Sequence, residues 1–242
     1  MITRRHIPHL LWAGLMLLAS TPLCSSPGTG LTPFSAEYSL SRDNTLLGKV
    51  IISLELTPTG DYQYHARTVT TGLVSLFRDD EITEQSIGQV HNGTIRPKTY
   101  LYHHKRKEKP RKVSIDFNWR SKRATNRSNN TSWSMKIPGD TQDKFSQQLA
   151  LMLALSKGSR NLSISVADGG KLKSYRYSAD GNERIETAAG TVSAVRIERS
   201  KDNRPSDSTL WLSPEFNYLP VKIAKQKKDQ QVIMLLNSVT WN

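Results

Sequence analysis

From residue 34 onward, apolar and polar positions alternate with a period of two, the pattern of strands that bury one face. Phe34, Ala36, Tyr38 and Leu40 fall on one side of an extended segment, and Val50, Ile52, Leu54 and Leu56 on one side of the next. Thr57, Pro58, Thr59, Gly60 and Asp61 supply a turn, after which Tyr62, Tyr64 and Ala66 resume the pattern. The alternation is cleanest where Val113, Ile115, Phe117 and Trp119 interleave with Ser114, Asp116 and Asn118. One apolar face and one wet face belong to an antiparallel sheet. Beyond residue 160 the chain meanders through short strands at 162–167, 175–177, 192–197, 210–212, 221–225 and 232–239. Turns are expected at Asp168-Gly169-Gly170, at Ala179-Asp180-Gly181-Asn182, at 201–205, at Ser213-Pro214 and at 227–230.

Residues 140–157 break the period. They contain neither Gly nor Pro, and the spacing predicts a helix with Asp140 as cap, Asp143 in the first turn and Gly158 as stop signal. Phe145, Leu149, Met152 and Leu153 form one stripe and Leu151 and Leu155 a second, so the helix should be buried on most sides. The expected fold is mostly β (α+β): a curved antiparallel sheet or half-open β-barrel, with one long helix packed against its concave face. No composition break divides residues 31–242, which read as a single domain.

The first 26 residues read as a secretory signal, with Arg4 and Arg5 ahead of an apolar run from Leu10 to Ala19 and cleavage expected between 20 and 26. The run is too short to span a bilayer, so the mature chain is expected to carry no transmembrane segment and to be periplasmic. Cys24 offers a lipid-anchor alternative, against which stands Leu23, where a small residue should precede a lipidated cysteine. As the one cysteine of the chain, it forms no intramolecular disulfide and builds no thiolate metal site.

Charge adds a location. The chain holds 34 Lys and Arg against 21 Asp and Glu, a net charge of +13. Two of those charges lie in the signal, and residues 96–136 carry thirteen basic residues against Glu108 and Asp116 alone, so the excess is local. Lys105, Arg106, Lys107, Lys109, Arg111 and Lys112 read as a hairpin tip, with Arg120, Lys122 and Arg123 on the next connection or strand and Trp119 beside them. Such a cluster attracts phosphate or carboxylate, with binding that weakens as salt rises; a solvated tip that discourages edge pairing is the plain alternative. Tyr100, Tyr102, Phe117, Trp119 and the helix stripe are candidates for an apolar lining.

Catalytic and metal signals are missing: no His-Glu-x-x-His, no Gly-x-Ser-x-Gly and no phosphate-binding glycine loop occurs. His103 and His104 are neighbours on a strand and face opposite sides. The acids Asp79, Asp80 and Glu81 supply too few oxygens at loop spacing for calcium. No catalytic residue, metal site or cofactor is assigned.

Several short motifs occur together in order: Pro33-Phe34-Ser35-Ala36-Glu37-Tyr38, Gly72-Leu73 with Ser75-Leu76, Ile95-Arg96-Pro97 with Tyr100, and Asp116-Phe117-Asn118-Trp119. Asp143-Lys144-Phe145-Ser146, Trp211-Leu212-Ser213-Pro214 and Tyr218-Leu219-Pro220-Val221 follow. In these the chain resembles the exported bacterial proteins of domain-of-unknown-function family 3108. The resemblance implies an envelope location and a mostly β domain, similar in architecture to the half-barrels of periplasmic lipoprotein carriers; it implies no catalytic residue. The expected function is non-enzymatic binding of an anionic or amphipathic envelope component (lipid, lipopolysaccharide or acidic polymer); the export signal argues against nucleic acid. A structural or assembly factor contacting another envelope protein is the alternative, and an envelope-polymer hydrolase a third.

Overall fold

The computed structural model describes residues 30–71, 80–106, 109–129, 131–202, 204–227 and 229–242. The expected signal segment with Cys24, the Gly72-Leu73 and Ser75-Leu76 motif, Asp79 and Lys107 lie outside the described residues. The alternating segments form fourteen strands. These are β1 (Phe34–Arg42), β2 (Thr45–Leu56), β3 (Asp61–Thr70), β4 (Glu81–His91), β5 (Thr94–Lys105), β6 (Arg111–Asn118), β7 (Arg123–Ser128) and β8 (Thr131–Lys136) before the helix. After it come β9 (Asn161–Asp168), β10 (Lys171–Thr187), β11 (Gly190–Lys201), β12 (Arg204–Ser213), β13 (Leu219–Lys227) and β14 (Gln230–Trp241).

All fourteen belong to one antiparallel sheet in the order β8-β7-β6-β5-β4-β3-β2-β1-β14-β13-β12-β11-β10-β9. Each strand pairs with its sequence neighbour, and the pairing of β1 with β14 joins the two meanders at mid-sheet. The order does not close, since β8 and β9 stand at its two ends. In a flat sheet thirteen strand spacings would separate them by about 60 Å. Yet the Trp133 ring of β8 lies against Gly170 in the β9–β10 turn, where an added Cβ would sit 3.3 Å from it. The sheet therefore curls until its ends approach, without pairing them.

The inward row holds the large buried side chains, among them Phe34, Tyr38, Leu54, Tyr62, Tyr64 and Tyr100. Helix α1 (Ser146–Ser156) is shorter than the sequence predicts. Its cap is Asp143, not Asp140: the Phe145 and Ser146 N–H groups both donate to Asp143 Oδ1 at 2.7 Å, and the Asp143 N–H donates to Ser146 Oγ at 3.0 Å. This reciprocal pair is a capping box. Gly158 ends the helix as expected, in the left-handed region, with the Ser159 N–H donating to the Ala154 carbonyl and the Gly158 N–H to that of Leu155. Leu149, Leu151, Met152, Leu153 and Leu155 are all buried, in keeping with the two predicted stripes. Phe145 stacks on Tyr64 of β3 at 3.9 Å, and Tyr177 of β10 donates to Gln147 at 2.7 Å, so the helix ties both halves of the sheet.

A second correction concerns Ala179-Asp180-Gly181-Asn182, which makes no turn. It is a bulge inside the 17-residue β10, where Ala179 pairs with Ile197 and Asn182 with Val195. Among the described residues no helix is long and apolar enough to cross a membrane.

Candidate functional site

In an antiparallel meander alternate connections fall at the same end of the sheet. The β5–β6 hairpin therefore shares an end with the β1–β2, β7–β8, β9–β10, β11–β12 and β13–β14 turns. Lys105, Arg106, Lys109, Arg111 and Lys112 are all exposed there, and Arg106 Nε donates to His104 Nδ1 at 3.0 Å. Arg120 and Lys122 instead lie in the β6–β7 turn and Arg123 at the start of β7, at the opposite end. The eight residues of β6 put about 24 Å between the two groups. The sequence-contiguous basic cluster is thus two clusters.

Trp119 also belongs to the far end, and its contacts are structural. Its indole N–H donates to the Pro97 carbonyl at 2.7 Å, its ring stacks on Phe117, and the Arg96 guanidinium lies 5.1 Å from the ring centroid. Arg123 is held by Ser134, donating to its Oγ at 3.0 Å.

At the hairpin end the fold adds residues that sequence distance hides. Arg42, Lys171, Arg204 and Lys225 are exposed near the neighbouring turns. So are large apolar side chains: Leu46 is 54% exposed, Trp133 45% and Leu172 42%, all within the first three residues of strands that leave this end. The fourth exposed large apolar residue among those described, Leu101, lies further along β5. Acids are present too: Asp229 is exposed in the β13–β14 turn, and the others described there have partners. Asp168 pairs with Lys173, Glu81 with Arg67 at 2.6 Å, and Asp80 lies 3.9 Å from His104. Asp43 accepts the Gln231 N–H and Asp202 the Ser174 N–H. Turn parity was the signal that could have collected these residues from the sequence.

A cavity of ≈ 220 Å³ opens beside the helix start, between β5, β6, β7 and β8 on one side and Asp168 and Gly169 on the other. Tyr100, Tyr102, Asn126, Trp133, Lys144 and Arg111 contribute to its lining. The Lys144 ammonium lies 5.9 Å from the centroid of the Tyr102 ring. Of the expected lining residues, Tyr100 and Tyr102 are here, whereas Phe117 and Trp119 are not among those around it. A wider hollow of ≈ 660 Å³ involves His65, Thr83, Gln85, Leu101, His103 and Lys112.

Behind the small cavity lies a buried polar network. Ser86 donates to Asp143 Oδ2 at 2.6 Å and shares a 3.0 Å hydrogen bond with the Tyr62 hydroxyl, while Tyr100 donates to Glu84 at 2.5 Å. Burial pushes the carboxyl of Asp143 above the ordinary range, opposed by hydrogen bonds from Ser86, Phe145 and Ser146. Burial likewise raises Glu84, opposed by the Tyr100 hydrogen bond and the Lys144 charge. Loss of solvation also raises the Tyr100 phenol, which therefore stays a donor. Among the described residues, no three His, Cys, Asp or Glu side chains are grouped to hold a metal ion.

No curated protein sequence matches the chain. Among solved structures, a β-barrel-like protein of domain-of-unknown-function family 1849 from Brucella abortus superposes with a TM-score of 0.63 at 11% identity, covering 88% of this chain and 98% of that one. That likeness shows the fold. A structure described as that of a "putative lipoprotein" from Parabacteroides distasonis gives a TM-score of 0.37 at 11% identity, over 87% of this chain and 96% of the other. The family whose model matches residues 37–237 is described as a protein of unknown function, DUF3108, and the chain belongs to it.

Proposed function

We propose that this protein is exported to the bacterial envelope and binds, without catalysis, an anionic amphipathic component there through the hairpin end of its sheet. In this reading the helix seats against the concave face of the curled sheet, and the hairpin end meets the ligand surface. The observation that carries it is that exposed cations and exposed apolar side chains share one end of the sheet: Lys105, Arg106, Lys109 and Arg111 with Leu46, Leu172 and Trp133. Cations are drawn to lipid phosphates, and apolar side chains at the same level enter the acyl boundary. The signal-like first 26 residues support the envelope location.

The test is adsorption to vesicles of phosphatidylglycerol, to vesicles carrying lipopolysaccharide and to zwitterionic vesicles, across a salt series. Binding to the first two, declining with salt, is expected. Each basic residue near an anionic surface is worth about 1 kcal/mol, so loss of two cations alone weakens adsorption about thirtyfold, and Lys105→Glu with Arg106→Glu, which adds repulsion, should weaken it by at least that much. Unchanged adsorption by that double variant would sink the reading.

A further inference from the structure

Asn126 is a buried polar side chain for which the described residues supply no hydrogen-bond partner. It sits on β7 with no solvent exposure, between Ile115 of β6 and Trp133 of β8 in the pairing register. Within the described residues neither its Nδ2 nor its Oδ1 has a hydrogen-bond partner. An amide buried this way costs stability unless something satisfies it.

The same side chain lines the ≈ 220 Å³ cavity, and the other groups around it have a common theme. Lys144 and Arg111 bring two cations, and the Asp168 carboxylate on the far wall is already paired with Lys173. Trp133 brings a half-exposed aromatic face at the seam between the sheet ends. The volume equals that of about seven waters, the scale of one monosaccharide unit rather than a whole lipid. An amide donates and accepts at once, matching a sugar hydroxyl, which does both. An indole face suits the C–H surface of a sugar ring, and paired cations suit a phosphate or carboxylate on it.

We propose that this cavity binds an anionic saccharide unit. Asn126 engages a ring hydroxyl, Trp133 packs the ring, and Lys144 with Arg111 holds the charged group. The inference rests on the surface-binding reading above and deepens it, since Arg111 belongs to both; the saccharide is the head of the envelope component that the hairpin end meets.

Titration calorimetry of the purified chain with glucose 1-phosphate and with glucuronate separates a phosphorylated from a uronic headgroup. At least one should bind, and glucose or inorganic phosphate alone should bind at least tenfold more weakly. Asn126→Leu removes both unpaired atoms at similar volume, so it should raise the melting temperature while weakening the preferred sugar at least tenfold. Lys144→Gln, at an exposed position, should bring affinity for that sugar down toward that for glucose. No binding of either acidic sugar below about 5 mM, or undiminished binding by Asn126→Leu or Lys144→Gln, overturns the proposal. Vesicle adsorption that survives such a failure leaves the surface reading standing, and sugar binding without vesicle adsorption removes the surface reading alone.

Discussion

Gly88 is buried in β4 where the pairing with β5 shifts register after Ile87. A Cβ there would stand 2.4 Å from the Arg96 carbonyl oxygen and 2.8 Å from Tyr62 Cε1. The crowding is with backbone, which cannot swing aside, so Gly88→Ala is an overpacking change of about 2–3 kcal/mol, or a melting temperature lower by about 5–10 °C. A melt within 2 °C of the parent, on the order of error, would refute the tight approach. The sequence shows Gly88 only as a glycine in a strand pattern, because the neighbour that makes it necessary comes from the next strand. Trp119 has the same lesson in reverse. Its alternation with Phe117 puts it on the apolar face, but the Pro97 carbonyl that occupies its N–H lies 22 residues away and leaves no hint in the local pattern. Asn126 is likewise just one polar letter in a polar stretch until the register sets it between Ile115 and Trp133.

At the scale of elements, period-two alternation was enough to find most strands, and two apolar stripes with Gly158 were enough to find the helix and its end. The helix start was misplaced by the choice between two aspartates. Both suit a cap locally, and only the burial of Asp143 against Ser86 decides between them. That burial has a consequence for pH. Asp143 and Glu84 are both held above the ordinary carboxylate range, chiefly by loss of solvation. Their contribution to stability is fully present below the unfolded pKa of about 4 and is lost as pH rises through the raised folded values. Exposed Asp61 and Glu81, lowered first by hydrogen bonds from Lys98 and Arg67, act in the opposite sense as pH falls through their folded values. Melting temperature should therefore rise as pH falls from neutrality toward the unfolded carboxylate pKa of about 4, and fall again as pH drops below it. Glu84→Gln combined with Asp143→Asn removes both titrations, keeps one acceptor oxygen at each position and obliges the Ser86 hydroxyl to accept where it now donates; it should flatten the rise. A rise of the same size in that double variant would assign it to other groups.

At the scale of the whole molecule, the charge excess of residues 96–136 was plain from the sequence, but its shape was not. Thirteen basic residues in a row of 41 suggest one patch, whereas β6 carries the chain about 24 Å between the hairpin and the next turn. Sequence neighbours were separated, and distant residues such as Arg42, Lys171 and Arg204 were brought to the hairpin's end of the sheet, because every second turn of a meander returns to the same end. A surface that meets the hairpin end lies more than two Debye lengths from Arg120, Lys122 and Arg123 at physiological salt, where screening falls off over about 8 Å. Reversing Arg120 and Lys122 to Glu removes as much net charge as reversing Lys105 and Arg106. If net charge governs adsorption to anionic vesicles, the two double variants weaken it equally. If the hairpin end is the contact, the far pair changes it less than about twofold while the hairpin pair costs at least about thirtyfold. Vesicle sedimentation of both variants at 150 mM salt, about physiological ionic strength, separates the cases, and equal losses would mean that the chain approaches the surface in no fixed orientation.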